Sequence, residues 1–130
     1  MKKFNEKYRM GEKIGEGSNG IVRKCFKKDE NSEKVFAVKS MEMDEEHILF
    51  LKKNFKIIRA LNHPNIIKYR AMYLDLRKHT CYLVMDYLKM PNLLEGKFIP
   101  EEDLKIIMHQ LISTVAYIHS HDICHRDIKP

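Results

Sequence analysis

The stretch GEGSNGIVRKCF, Gly15 to Phe26, decides the fold. Its glycines, Gly15, Gly17 and Gly20, follow the pattern G-x-G-x-x-G, which serves two different structures. One is a dinucleotide-binding turn, in which a helix starts directly after the glycines and its N-terminus receives the phosphates. The other is a flap between two strands. The residues after Gly20 separate the two. IVRKCF is rich in branched residues and has no helical period; a polar turn, KKDENSEK (27–34), and a further branched run, VFAVKSM (35–41), come next. The glycines therefore cap a hairpin predicted over residues 8–26. Lacking side chains, they let the backbone lie close over phosphates and aim its N–H groups at them. Taken alone, they fit a ligand-free turn equally well.

Working outward, the predicted strand 35–41 alternates, so Val35, Ala37, Lys39 and Met41 share one face. A small residue beside a lysine on that face can floor a flat ring while the ammonium reaches phosphate oxygens. Residues 44–61 are predicted helical. Acidic residues open this helix, which suits the positive end of its dipole, and Ile48, Leu51, Phe55 and Ile58 recur at helical spacing. NHPN (62–65) ends it, since a residue before proline disfavours helix. NIIKYRAMYL (65–74) and TCYLVMDYL (80–88) are predicted strands. Residues 101–121 form the clearest helix, with Pro100 and three acidic residues at its start and a stripe of Leu104, Ile107, Met108, Leu111, Ile112, Val115 and Ile118. DICHRDIKP (122–130) closes the sequence.

Composition narrows the class. The chain has 130 residues, 44% hydrophobic and 32% charged, an ordinary globular balance for one domain with a modest core. The formal charge is +6, and the first 60 residues, with 15 basic and 10 acidic side chains, carry five of those charges. No basic run is interleaved with stacking aromatics, so nucleic acid is not an expected partner. No apolar run is long enough to insert in a membrane, and the charged N-terminus lacks an apolar signal core. Three cysteines, an odd number at unrelated spacings, argue for a reducing compartment, giving an intracellular, cytoplasmic expectation. His119, His121, Cys124 and His125 fall close together, a composition that zinc sites use; packing of the helix end accounts for them instead, with Cys124 as a small buried hydrophobe. No metal-ligating residue is assigned. His63 in HPN is expected to hydrogen-bond within its loop.

GEGSNGIV, FAVK, LNHPNI, YLVMDYL and HRDIKP occur in an order and at spacings that resemble the eukaryotic protein kinase family, in its serine/threonine branch. The resemblance runs from about Tyr8 to Pro130. It implies an α+β fold: an antiparallel small lobe with one helix over about 8–85, a hinge at 86–90, and the start of a helical large lobe at 91–130. It also implies ATP and Mg2+ as cofactors and a Ser/Thr hydroxyl of a protein substrate as acceptor. By similarity Gly15, Gly17 and Gly20 cover the phosphates, Val22 and Ala37 sandwich the adenine, and Lys39 holds the α- and β-phosphates. Met85 guards the back of the adenine pocket, and the backbones of Asp86 and Leu88 bond the adenine edge. Asp127 is the matching catalytic base, and Lys129 offsets charge on the transferred phosphoryl group. Arg126 would meet a phosphorylated loop, and His125 would pack beneath the site.

Two departures from the family pattern stand out. The glutamate that pairs with the strand lysine is expected nine residues before the HPN histidine, where this chain has Asn54; Glu46 lies eight residues earlier, ~12 Å along a helix. The loop asparagine would be residue 132 and the D-F-G aspartate lies further on, both past residue 130. The 130-residue chain is therefore expected to be inactive by itself, with the 101–121 stripe exposed. A non-catalytic, pseudokinase-like interaction module is the alternative function. Substrate identity and oligomeric state are not legible.

Overall fold

A computed structural model describes residues 3–17, 20–29, 34–89 and 98–128. The elements run α1 (Phe4–Lys7), β1 (Tyr8–Gly17), β2 (Gly20–Lys27), β3 (Val35–Glu42), α2 (Glu45–Ala60), β4 (Tyr69–Asp75), β5 (Thr80–Asp86) and α3 (Glu101–His119). Five strands form one antiparallel sheet in the order β1-β2-β3-β5-β4. The glycine stretch is a hairpin, with Gly17 opposite Gly20 and Gly15 opposite Val22, and no helix follows it. Ser18, Asn19 and part of the predicted turn 27–34 lie outside the described residues.

The chain divides into two compact units, Met1–Ala60 with Ile67–Leu88, and Leu61–Ile66 with Lys89–Pro130. The first holds the sheet, and strand alternation gives it two cores. Phe36, Val38 and Val84 pack with Cys25, Tyr8 and Phe4 on one face. Ala37, Cys81, Leu83 and Met85 pack on the other, against Met41 and against Leu51 and Phe55 of α2. Helical periodicity had marked these two α2 residues, and Ile48 of the same stripe is 3% exposed.

Three local readings differ from expectation. Residues 65–68 are not strand. The Ile66 N–H donates to the His63 carbonyl (3.1 Å), so the Pro64 turn absorbs these branched residues and β4 starts at Tyr69. The last helix stops at His119, because Asp122 takes a left-handed φ of 58° and the Ile123 N–H returns to the Ile118 carbonyl at 3.0 Å. The short helix α1 had no signal of its own; it seats Phe4, 3% exposed, against Tyr8 and Tyr82 at centroid separations of 5.6 and 5.0 Å.

In the second unit the Asn62 N–H donates to the Tyr117 hydroxyl (3.0 Å) and the Asn65 N–H to His63 Nδ1 (3.2 Å), which ties the HPN loop to α3. Leu104, Met108, Leu111 and Ile112 of α3 are exposed. Cys124 and His125 are exposed too, contrary to the burial expected of them, because among the described residues this unit supplies only α3 and one loop and has no second layer to cover them.

Candidate functional site

Register builds the site. Gly15 faces Val22, Val22 faces Lys39, and Lys39 faces Leu83, a continuous row across four strands. The row beside it joins Lys24, Ala37, Met85 and Tyr69. Directly opposed residues project to the same face, so Val22, Ala37, Lys39 and Met85 share the α2-bearing face. The alternation read along β3 thus extends across the sheet. Ala37 and Met85 are 5% and 9% exposed within its core, and Val22 packs against them.

At the glycine end of this face lies a hollow of about 780 Å³, bordered by Gly17, Gly20, Lys39, Met41, Leu51 and Leu83 among others. Its size is that of a small-molecule site. A Cβ placed on Gly17 would find no atom of the described residues within 4 Å, so the backbone there faces open space among them. Gly20 is different: its φ is +123°, and a Cβ would lie 2.2 Å from the Ser40 carbonyl oxygen. The Ser40 hydroxyl donates to the Ile21 carbonyl at 3.2 Å, fastening the flap's base to β3. Sequence reading missed Ser40 and Leu83 as wall residues. The alternation of Cys81, Leu83 and Met85 on β5 was the signal for Leu83; Ser40 had none.

Lys39 is half-buried and forms no ion pair among the described residues. Asn54 lies on the same half-buried side of α2 as Leu51, Phe55 and Ile58, yet its side-chain amide donates to the Phe50 carbonyl of its own helix at 2.8 Å. Glu16 and Glu42 also border the hollow, Glu16 paired with Lys13, and among the described residues neither forms an ion pair with Lys39, so the ammonium has its donors open to an anion.

The other face of β5 carries Asp86. The Arg70 guanidinium grips it with two bonds, of 2.7 and 2.6 Å, and holds its carboxyl below the usual carboxylate range despite partial burial. The Asp86 side chain is therefore committed to Arg70, while its N–H donates to the Lys68 carbonyl at 3.0 Å. Leu88, two residues on, is 62% exposed.

Asp127 lies in the second unit, beyond α3, and is exposed; its N–H donates to His125 Nδ1 at 3.2 Å. Arg126 beside it has a φ of 63°. A left-handed non-glycine residue is uncommon and marks a sharp local turn. Lys129 lies outside the described residues. His121 packs on Tyr117 at 4.4 Å between ring centroids, and among the described residues no group of three His, Cys, Asp or Glu side chains is placed to hold a metal ion.

Comparison with known proteins returns one family profile, described as protein kinase domain, matching residues 8–130. Among curated relatives, the chain is 37% identical over 124 residues to the serine/threonine-protein kinase TAO1-A of Xenopus laevis, covering 89% of this chain and 12% of that protein. It is 36% identical over 124 residues to the serine/threonine-protein kinase TAO2 of Homo sapiens, with 89% and 10% covered. For TAO3 of Homo sapiens the identity is 37% and the coverage 89% and 13%. The chain thus spans about an eighth or less of the length of these relatives.

Proposed function

Because this chain belongs to the protein kinase family, we propose that it is the nucleotide-binding portion of a serine/threonine protein kinase domain. The complete domain would transfer the ATP γ-phosphoryl group to a Ser or Thr hydroxyl of a protein. The observation that carries this reading is the shared hollow of Gly17, Gly20 and Lys39, where among the described residues the space over Gly17 is open and no carboxylate pairs with Lys39. Those features fit a triphosphate: backbone N–H groups near the glycines and one ammonium would neutralise and orient it. Val22, Ala37 and Met85, apolar residues packed beside them, are the proposed contacts of the adenine ring. Gly15, with Gly17 and Gly20, would cover the phosphates. The Asp86 and Leu88 backbones are the proposed adenine partners.

ATP supplies the phosphoryl donor, and the protein's work in such a transfer is positioning and charge neutralisation. In the reading proposed here Asp127 accepts the hydroxyl proton, and Lys129 offsets charge on the transferred group. Mg2+ would come with the ATP phosphates, since the described residues offer no cluster of ligands for it. The lobe boundaries proposed are 8–85, 86–90 and 91–130, and the setting proposed is cytoplasmic. No helix among the described residues is long and apolar enough to cross a membrane.

The test is thermal unfolding of the chain with and without Mg-ATP, for wild type, Lys39→Ala and Asn54→Glu. A ligand at a hundred times its Kd stabilises by about 2.7 kcal/mol. That shift should appear in wild type, vanish in Lys39→Ala and grow in Asn54→Glu, where a carboxylate can pair with and fix the ammonium. No shift in wild type refutes nucleotide binding and leaves the interaction module; an unchanged shift in Asn54→Glu refutes the alignment of that helix.

A further inference from the structure

A second hollow opens beside the sheet face that carries Tyr8 and Phe36, with Arg59 from the end of α2 in its wall. It encloses about 660 Å³ and is bordered by five cations, Lys7, Lys27, Lys34, Arg59 and Arg70, with Asp29 as the one carboxylate of its wall among the described residues. We infer that this hollow is a docking site for a phosphorylated serine or threonine presented on a peptide segment.

The cations come from separate places in the sequence: the end of α1, the end of β2, the approach to β3, the last turn of α2, and β4. Like charges brought together from such distances repel, and neither core described above requires them. Among the described residues Lys7, Lys34 and Arg59 form no ion pair. Lys27 and Lys34 hold their ammonium groups 5.7 and 5.5 Å from the centre of the same Phe36 ring, which steadies both at the rim. Arg70 is oriented by its two bonds to Asp86. The result is a cup of partly pre-set donors with a surplus of positive charge.

The shape of the cup decides its occupant. A phosphoryl dianion has three acceptor oxygens and can engage an arginine and two ammonium groups together, which one carboxylate cannot. The volume suits one modified side chain with its neighbours. Single-stranded nucleic acid needs a charged track with stacking rings. Here Tyr8 and Phe36, at 5% and 3% exposure, are spent on each other and on the core, 6.1 Å apart edge to face. The site is on the opposite face from Lys39 and does not depend on ATP binding.

The experiment is fluorescence anisotropy with a labelled, glutamate-flanked phosphoserine peptide, its unphosphorylated twin, inorganic phosphate as competitor, a single-stranded oligonucleotide and phosphatidylserine vesicles. The phosphopeptide should bind at least roughly tenfold tighter than its twin. That affinity should fall about tenfold or more in the pair Lys34→Glu with Arg59→Glu and hold in Lys39→Ala. Mg-ATP stabilisation of the double variant should match wild type. If the double variant melts abnormally, the single changes Lys34→Gln and Arg59→Gln are read instead, each expected to weaken binding about threefold. Equal binding of the twin overturns the inference, and so does unchanged binding after charge removal. Displacement by inorganic phosphate at the peptide's own concentration overturns the peptide as occupant. Tighter binding of the oligonucleotide or vesicles, lost in the same variants, overturns it in favour of that polyanion.

Discussion

Replacing each of the three motif glycines by alanine should give three different results, though the sequence treats them alike. At Gly20 the φ of +123° is strained for any L residue, at a cost of ~1–3 kcal/mol. The new Cβ would also sit 2.2 Å from the Ser40 carbonyl oxygen, backbone that can yield only by parting β2 from β3. That separation would cost the Ser40–Ile21 bond as well, a further ~1 kcal/mol. Gly20→Ala should therefore lose about 2–4 kcal/mol, lowering the melting midpoint by more than about 8 °C for a unit of this size. Gly17→Ala meets nothing within 4 Å and its φ is not positive, so it should be neutral or more stable by up to ~1 kcal/mol. Gly15→Ala adds one ordinary contact, 3.9 Å from Val22 Cβ, and should fall between. Urea denaturation followed by far-ultraviolet circular dichroism reads all three, and Mg-ATP titration adds the ligand arm. If the flap covers a triphosphate, Gly17→Ala should lose about tenfold in nucleotide affinity while keeping its stability. Equal destabilisation by Gly17→Ala and Gly20→Ala would refute the reasoning, as would a Gly20→Ala protein as stable as wild type.

Burial pushes the Cys25 thiol up to about 12 and the Cys81 thiol up to about 11, whereas Cys124 is exposed. In the folded protein at pH 8 an aromatic disulfide reagent should therefore titrate Cys124 alone, and all three only in denaturant; fast labelling of three would contradict the two buried environments. A raised folded pKa gives stability that is whole below the ordinary thiol value of about 8.5 and drains away as pH climbs towards 11 and 12, so urea midpoints should fall on that side. The depressed carboxyl of Asp86 works in the opposite direction: its contribution is whole above the ordinary value of about 4 and is lost as pH falls through its lower folded value. Arg70→Met should cost ~0.5–1 kcal/mol at pH 7, and that cost should fade as pH falls below the ordinary carboxylate range; a gap that persists in acid would mean that Arg70 acts by packing instead.

Much of the small unit was legible because its signals are periodic. Alternation at two residues set the faces of β3, and helical spacing picked out Ile48, Leu51 and Phe55 of α2. Short or context-bound features were not legible. Helix α1 has four residues, too few for any period, and earns its conformation from the burial of Phe4. The NIIK residues look like strand by composition, yet the Pro64 turn claims them. Cys124 and His125 were read as buried on residue type and position, and burial needs a neighbour that the described part of that unit does not supply. The basic hollow was visible only as surplus charge in the first 60 residues. Its members are spread from residue 7 to residue 70, and the fold brings them together from α1, β2, the approach to β3, α2 and β4.

The deepest constraint on the site is parity. Phe36, Ala37, Val38 and Lys39 are consecutive, and β3 sends them alternately to the two faces of the sheet, Phe36 and Val38 into one core and Ala37 into the other. Lys39 and Met41 border the glycine hollow from the side they share with Ala37, Ser40 and Glu42 border it from the other, and Phe36 lines the basic hollow on the side it shares with Val38. A one-residue slip of β3 would expel both sets at once, placing a phenylalanine where the small floor is needed and an ammonium inside the aromatic cluster. Both neighbouring strands oppose such a slip: β2 fixes Val22 against Lys39, and β5 fixes Leu83 against it. The central strand is thus held in register from both sides. Gly20 ties the same register to the flap, since its close approach to Ser40 is available only when Ile21 faces that serine. The flap and the ammonium are positioned by one set of backbone bonds, so a change that loosens the hairpin must also shift the lysine beneath it.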